Sequence, residues 1–365
     1  YKITPDCVGD TVTFSLSRPR NLSVEVNGDI FHNLHLFANP IDKFRPSDKE
    51  IQRALKKKKG SNLIYFGPGV HNLPNDTLFV PSGTTVYIDG GARVYGNIFT
   101  EGAHDVNIFG RGEVHPDGRG AGVWVRRSKN VRIDGIVVSQ LPIGQCDSVE
   151  LTNVKSISYY GWGDGMDVFS SSNVILDGVF CRNSDDCAAV YASTQGFKGG
   201  SNNVLVKNAT LWADVAHPIN IGGHGDPNGM DTVQNVTFRN IDILDQAEKQ
   251  VDYQGCLAIN PGDNTLVRNI TFENIRIEDF RNGQLVNFRI SFNPKYCVST
   301  GRGIQNVLVK DVTYNGSGEN LSIIAGYDEN HKISGIRFVN LVVNGRKITD
   351  DMPGKPKWYK TGDMA

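Results

Sequence analysis

The sequence predicts an all-β protein, a right-handed parallel β-helix (solenoid) preceded by a small N-terminal β-sandwich segment. Three observations carry that expectation. A short phrase, Asn or a small polar residue followed by Val or Ile, any residue and another apolar residue, recurs from Asp105 to Phe338. Its starts are separated by 25, 23, 20, 30, 32, 34, 37 and 29 residues, the period of stacked units that cannot bury an apolar face until a neighbour covers it. Each phrase alternates apolar and polar over β-branched residues, and no segment sustains a helical stripe.

Residues 1–60 differ. Val12–Leu16, Leu22–Val26 and Leu34–Phe37 alternate like strands of a small antiparallel sheet. A basic, helix-permissive segment, Lys49 to Lys59, follows and ends at Gly60. The run Lys56–Lys59 reads as a solvated linker. The solenoid is expected from Leu63–Phe66 onward, giving an N-terminal part with linker over 1–60, a β-helix over 61–350 and a tail over 351–365.

The phrases begin at Asp105, Asn130, Asn153, Asn173, Asn203, Asn235, Asn269, Asn306 and Gly335. Gly and Asn supply the bends between strands. Uneven spacing fits insertions between coils, whereas a sandwich or propeller would show paired hairpin turns.

Composition excludes several classes. The chain has 365 residues, 38 basic against 39 acidic side chains and a net charge of -1, so nothing favours nucleic acid or an anionic membrane as partner. No stretch is apolar enough for a membrane span. Six cysteines without a Cys-x-x-Cys pair make neither a disulfide scaffold nor a structural zinc site. Seven Asn-x-Ser/Thr triplets, at Asn21, Asn75, Asn208, Asn235, Asn269, Asn315 and Asn320, permit a secreted glycoprotein whose leader is absent from a chain starting at Tyr1.

The chemistry concentrates in Gly163-Asp-Gly-Met-Asp167 and Ser184-Asp-Asp-Cys187. Asp164 precedes Asp185 by 21 residues, about one coil, so Asp164, Asp185 and Asp186 should converge on one outer face, with the Asp-Asp pair at a bend. Crowded carboxylates push one proton's pKa upward, which equips a site with an acid beside a base, as glycoside hydrolysis requires. Each pair alone would equally suit a turn or a calcium site; the one-coil spacing favours a common task.

These residues resemble the polygalacturonase family of glycoside hydrolases, family 28, whose signature reads Asn-Thr-Asp-Gly-x-Asp and then Asp-Asp-Cys. The dextranase and isopullulanase family, 49, shares the plan and carries an N-terminal β-sandwich. The resemblance covers about residues 63 to 345. It implies Asp185 as general acid, Asp164 with Asp186 as the base pair holding a water between acid and base, inversion at the anomeric carbon, and no metal or organic cofactor. The family's active-site histidine corresponds to His217, within Ala216-His-Pro-Ile-Asn-Ile-Gly222, with His224 of Gly223-His-Gly225 as second choice. The family's Arg-Ile-Lys corresponds to Gly255–Asn260, which lacks both cations, so a neutral sugar is expected over galacturonate.

Asp167, Asn260, Asn287 and Arg289 are further expected substrate contacts. Trp162, Trp212 and His224 lie near the acids as candidate subsite walls, beside Tyr159 and Tyr160, with Trp124 a weaker case. The expected partner is a polysaccharide or oligosaccharide. Two rivals are a non-catalytic carbohydrate-binding β-helix and a β-helix polysaccharide lyase, the latter needing a basic residue and calcium at a uronic acid.

Overall fold

The computed structural model describes residues 3–56, 60–250, 253–290, 292–318 and 320–351. Two compact units emerge, Tyr1–Phe44 and Arg45–Ala365. In the first, Asp6–Val8 pairs antiparallel with Thr11–Thr13, and Arg20–Val24 with Leu34–Ala38. The three expected strands appear with shifted bounds, Val12–Leu16 as Thr11–Thr13, Leu22–Val26 as Arg20–Val24 and Leu34–Phe37 as Leu34–Ala38; Asp6–Val8 is added, and the four form two separate two-stranded pairs in place of one small sheet.

The helix Asp48–Leu55 belongs with the solenoid, which moves the boundary from the expected 60 to 44. Ser47 caps it, accepting from the Glu50 amide while the Glu50 side chain returns to the Ser47 amide, a reciprocal cap that closes two orphan donors. Its one apolar anchor, Ile51, is buried. The residues expected as a lysine linker lie largely outside the described residues, as does the tail from 352.

From Leu63 on, the chain winds as a parallel solenoid in which each strand hydrogen-bonds to the equivalent strand one coil away. Strands that fold back on the preceding coil need a full turn of chain, so the sheets are parallel and one face is closed by the coil itself. Inside, one residue type stacks on its like: Val125, Ile143, Val168, Val190, Ile221, Ile259 and Phe288 form one buried column.

The recurring Asn has a structural cause. Asn173, Asn203, Asn235, Asn269 and Asn306 all take φ between 56° and 58°, the left-handed region Asn tolerates better than branched residues. There each side chain bonds along the stack: Asn203 Nδ2 donates to Asn173 Oδ1 (2.7 Å), Asn269 to Asn235 (3.1 Å) and Asn306 to Asn269 (3.3 Å). A second ladder runs from Asp177 through Asn208 and Asn240 to Asn274. One repeat assignment shifts: Val131 pairs with Val149, which pairs with Val174. Ser148, at φ 61°, therefore takes the corner expected of Asn153, which belongs to the following bend.

Three of the seven triplets, those at Asn208, Asn235 and Asn269, sit in these ladders with the Nδ2 that a glycan would occupy already donating to a neighbour. Their Asn is explained by the corner. Replacing Asn235 with Ala should cost about 2 kcal/mol, from a left-handed Ala and two broken ladder bonds. Asn235→Gly should cost roughly half of that, with urea unfolding of both variants as the measurement.

Candidate active site

The motif residues sit where strands of one outer sheet begin. Asp164 precedes the strand Met166–Phe169, and Asp185 and Asp186 occupy the bend between Phe180–Asn183 and Ala188–Tyr191. Met166 pairs with Ala188 and Ala188 with Ile219, which stacks Asp164, Asp186 and His217 in one column. The register partner of Asp164 is thus Asp186, 22 residues on. Close approach of the coils requires Gly165, because a Cβ there would lie 2.2 Å from the Cys187 carbonyl oxygen.

One oxygen each from Asp164, Asp185 and Asp186 falls within 4.8 Å of the others. Their environments differ sharply. Asp186 is buried, and its carboxylate accepts four hydrogen bonds: from the His217 amide (3.0 Å), His217 Nδ1 (2.7 Å), the Tyr191 hydroxyl (2.5 Å) and Asn220 Nδ2 (2.8 Å). Burial alone would raise its pKa, but the His217 charge and these donors outweigh it and hold Asp186 below the ordinary value.

Asp185 stands the other way. Burial, then the Asp186 charge, push its pKa to about 7. Burial, then Asp186 and Asp185, push Asp164 well above the usual carboxylate range. The site therefore holds one fixed anion and two carboxyl groups that retain protons near neutrality.

His217 is 0% exposed. Its Nδ1 faces Asp186 and its Nε2 lies 2.5 Å from the Tyr253 carbonyl oxygen. Both ring nitrogens face acceptors, so both carry protons. Burial would lower its pKa, yet Asp186 overrides this and raises it. His217 joins the cluster from behind Asp186, fully buried and with both ring nitrogens engaged. His224 is more open, packs edge-on against Tyr191 (centroids 5.0 Å apart) and has its pKa lowered by burial.

Several expected contacts are placed out of reach. Asp167 is 4% exposed and pushed up by burial and then by Asp164. Trp212 is 3% exposed beneath the Arg182 guanidinium, 4.1 Å above its ring, so it offers no face to a sugar. Asn260 and Asn287 are buried, and Asn260 Nδ2 donates to Asn287 Oδ1 (3.2 Å) and to the Arg289 carbonyl (3.3 Å). Arg289 itself stays half-buried at the strand end. Both asparagines lie on the outward side of their strands, since Ile259 and Phe288 enter the core, yet both are buried.

Trp162 is the reverse case: 66% exposed, at φ 64°, two residues from Asp164. Its loop is tied to earlier coils. The Tyr160 hydroxyl donates to the Gly120 carbonyl (2.5 Å), and Gln140 Nε2 donates to the Tyr160 hydroxyl (3.1 Å) and to the Trp162 carbonyl (3.0 Å).

Four participants escaped the sequence reading. Tyr191 and Asn220 donate to Asp186, Tyr253 holds His217 and accepts from Asn220 (2.9 Å), and buried Glu248 adds negative charge near Asp185. Alternation along Ala188–Tyr191 and Ile219–Ile221 signals that Tyr191 and Asn220 point outward, toward the acids. Nothing local signals Glu248 or Tyr253, which lie outside named strands.

Comparison with known proteins can now be set beside this geometry. Residues 117–353 match the profile of Glycosyl hydrolases family 28. The chain belongs to that family. A polygalacturonase of Juniperus ashei is 26% identical over 295 residues, 72% of this chain and 54% of the relative. The chain thus spans about half the length of the curated relatives it matches. The family 28 exopolygalacturonase of Yersinia enterocolitica superposes with a TM-score of 0.59 at 14% identity, covering 86% of this chain and 78% of that one. Dex49A from Penicillium minioluteum gives 0.52 at 15% identity, over 80% and 56%. These likenesses establish the β-helix fold.

As to a cation, the trio's oxygens are close enough to share one. All four contacts at Asp186 are taken by protein donors, however, which leaves only Asp164 and Asp185 to ligate.

The raised pKa values set a pH dependence of folding. Asp185 ionises at about 7 folded and near 3.9 unfolded. The stability it contributes is fully present below about pH 4 and is lost as pH rises toward 7; Asp164 and Asp167 act in the same direction. Thermal melts should show the protein less stable at pH 8 than at pH 5, with a smaller difference in Asp185→Asn. An equal difference in both proteins would contradict the assignment.

Proposed function

We propose that this chain hydrolyses O-glycosidic bonds of a polysaccharide or oligosaccharide, with Asp185 as general acid and Asp164 as base. The observation that carries this is the division of three adjacent carboxylates into one saturated anion, Asp186, and two groups, Asp164 and Asp185, pushed toward the protonated form. When Asp185 is protonated its charge no longer opposes ionisation of Asp164, so the pair passes through a state with one acid and one base. That state lets Asp185 protonate the leaving oxygen while Asp164 takes a proton from water.

Asp186 is removed from the base role that the family resemblance implies. To accept the water's proton it would have to break one of four donated bonds, each worth about 1.5–3 kcal/mol to a charged group. Its task is to hold a fixed negative charge where positive charge develops on the sugar.

Inversion is the stereochemical reading. The three carboxylates' nearest oxygens lie within 4.8 Å, tighter than the roughly 6.5–9.5 Å that inverting enzymes commonly leave between their carboxyl groups. The water therefore sits against Asp164 at the margin of the cluster, instead of in a slot between acid and base. Retention needs a carboxylate free to attack carbon; Asp186 has all four acceptor positions taken, and in this reading the ionised Asp164 is engaged with the water.

A neutral, dextran-like glycan suits the site better than polygalacturonate. Beside Asn220 on the next coil stands Ala258, and Asn260 is buried, so the position where a uronate would want a bidentate cation has none. Polygalacturonase-named relatives support the uronate alternative, with Arg289 as its cation. A glycan polymer would be met outside the cytoplasm, where we place the protein's work.

Purified protein should release reducing sugar from dextran or pullulan faster than from polygalacturonate, and Asp185→Asn should lower that release at least a thousand-fold. Equal release by variant and parent from every glycan tested would sink the hydrolase reading. The rate should fall on the alkaline side as Asp185, its pKa pushed up to about 7, loses its proton, and proton NMR of the first-formed product should show the inverted anomer.

A further inference from the structure

Three aromatic rings stand on the same sheet as the acids, on coils nearer the N-terminus. Phe79 pairs in register with Phe99, and Phe99 with Trp124. Their centroids are 5.4 Å and 6.5 Å apart, with interplanar angles of 26° and 12°. Alternation turns all three outward: Leu78, Ile98 and Val125 enter the core, while Phe79 is 63% exposed and Phe99 and Trp124 are partly so. Contiguous rings left facing water in this way mark a binding surface more often than a packing accident.

Continuity with the acids identifies the occupant. Trp124 packs against the buried cluster of Phe169, Ala189, Tyr191 and Phe197. Phe197 stacks on Phe169 (6.1 Å) and Phe169 on Tyr191 (5.9 Å), whose hydroxyl donates to Asp186. Gly144 allows this floor to close, because a Cβ there would lie 2.3 Å from the Phe197 ring. Trp124 is two coils from Asp167, about 10 Å along the axis, and the Trp162 loop is tied down on Trp124's own coil at Gly120 and on the one coil between at Gln140. Polar groups adjoin two of the rings: the Arg126 guanidinium lies over Phe99 and Trp124, 5.4 Å and 5.9 Å from their centroids, and Arg126 and Arg127 share Glu101 at 2.7 Å and 3.1 Å.

Flat apolar faces with donors and acceptors at their edge suit pyranose rings, whose C–H faces stack while their hydroxyls bond sideways. We propose that Phe79, Phe99 and Trp124 form a distal subsite that holds the remote rings of the same glycan chain whose scissile bond lies at Asp185. The subsite rests on the glycoside-hydrolase reading for its occupant. It lengthens the substrate the protein prefers, because remote binding becomes useful only for chains that reach from the acids to Trp124.

The test separates binding from hydrolysis. In the Asp185→Asn background, native gel electrophoresis is run through gels containing dextran, pullulan or polygalacturonate, with melting temperatures recorded for every variant. Retardation by at least one glycan is expected, with the apparent Kd raised five-fold or more by Phe79→Ala and by Trp124→Ala, and largely restored in Trp124→Phe. Phe79 is exposed, so its loss should leave the melting temperature unchanged. Absence of retardation by every glycan, or equal retardation in all variants, overturns the subsite. Failure of the hydrolase reading shows separately, as a parent protein that is retarded in a Trp124-dependent way yet releases no reducing sugar.

Discussion

Parallel register between successive coils is the constraint on which everything else rests. Because each strand bonds to its counterpart one turn later, a side chain's neighbours are fixed by column. Like then stacks on like: Val on Ile inside, Asn on Asn at the corner, Asp on Asp on His at the rim. A column of Asn is stabilising because each amide both donates and accepts. A column of carboxylates is the opposite, since like charges about 5 Å apart in a partly dry site repel strongly. The same geometry that makes the corner ladder a source of cohesion makes the acid column a store of unfavourable charge.

What relieves that store is the next member of the column. His217 follows Asp186, and with both ring nitrogens facing acceptors it brings a positive charge to the one carboxylate that needs it. Tyr191 and Asn220 complete the shell from adjacent strands. With Asp186 compensated, its negative charge still presses on Asp164 and Asp185, and neither has a comparable partner. The asymmetry of protonation therefore arises from where the donors are, while the three acids themselves are chemically alike. A buried anion this fully bonded would be costly to strand, which is why partners removed from Asp186 should be felt at the acids and not merely in stability.

How much of this was legible in the sequence follows from the same logic. The solenoid was legible because its repeat has a direct physical cause, a left-handed corner that Asn and Gly occupy readily. Where a different residue took the corner, as Ser148 does, the phrase was misplaced onto Asn153. The convergence of Asp164, Asp185 and Asp186 was legible from spacing, and His217 from the pattern around it. Depth was not legible. Asn260, Asn287 and Trp212 alternate outward as a cleft residue should, yet all three are buried, Trp212 beneath the Arg182 side chain. Period-two alternation separates the interior of the coil from its exterior; it says nothing of what a loop lays over the exterior.

That distinction also decides which aromatics can serve a ligand. Trp212 and Trp124 share a residue type and an outward position; Trp212 is buried with the Arg182 guanidinium 4.1 Å from its centroid, whereas Trp124 is half-buried with Arg126 farther off, at 5.9 Å. Phe169, Tyr191 and Phe197 are likewise covered and act as filling beneath the acids, fixing the Tyr191 hydroxyl against Asp186. The segment 192–201 reaches this floor through Phe197, and on earlier coils the same row of outward positions carries Trp124, Phe99 and Phe79, of which Phe79 is the most exposed. The sheet thus runs from a covered half, where rings and amides position charge, to an open half where the same kinds of side chain face solvent. A chain lying along that axis would meet stacking surfaces first and the acids at the edge of the cover, which is the order in which remote binding energy can be applied to the bond being broken.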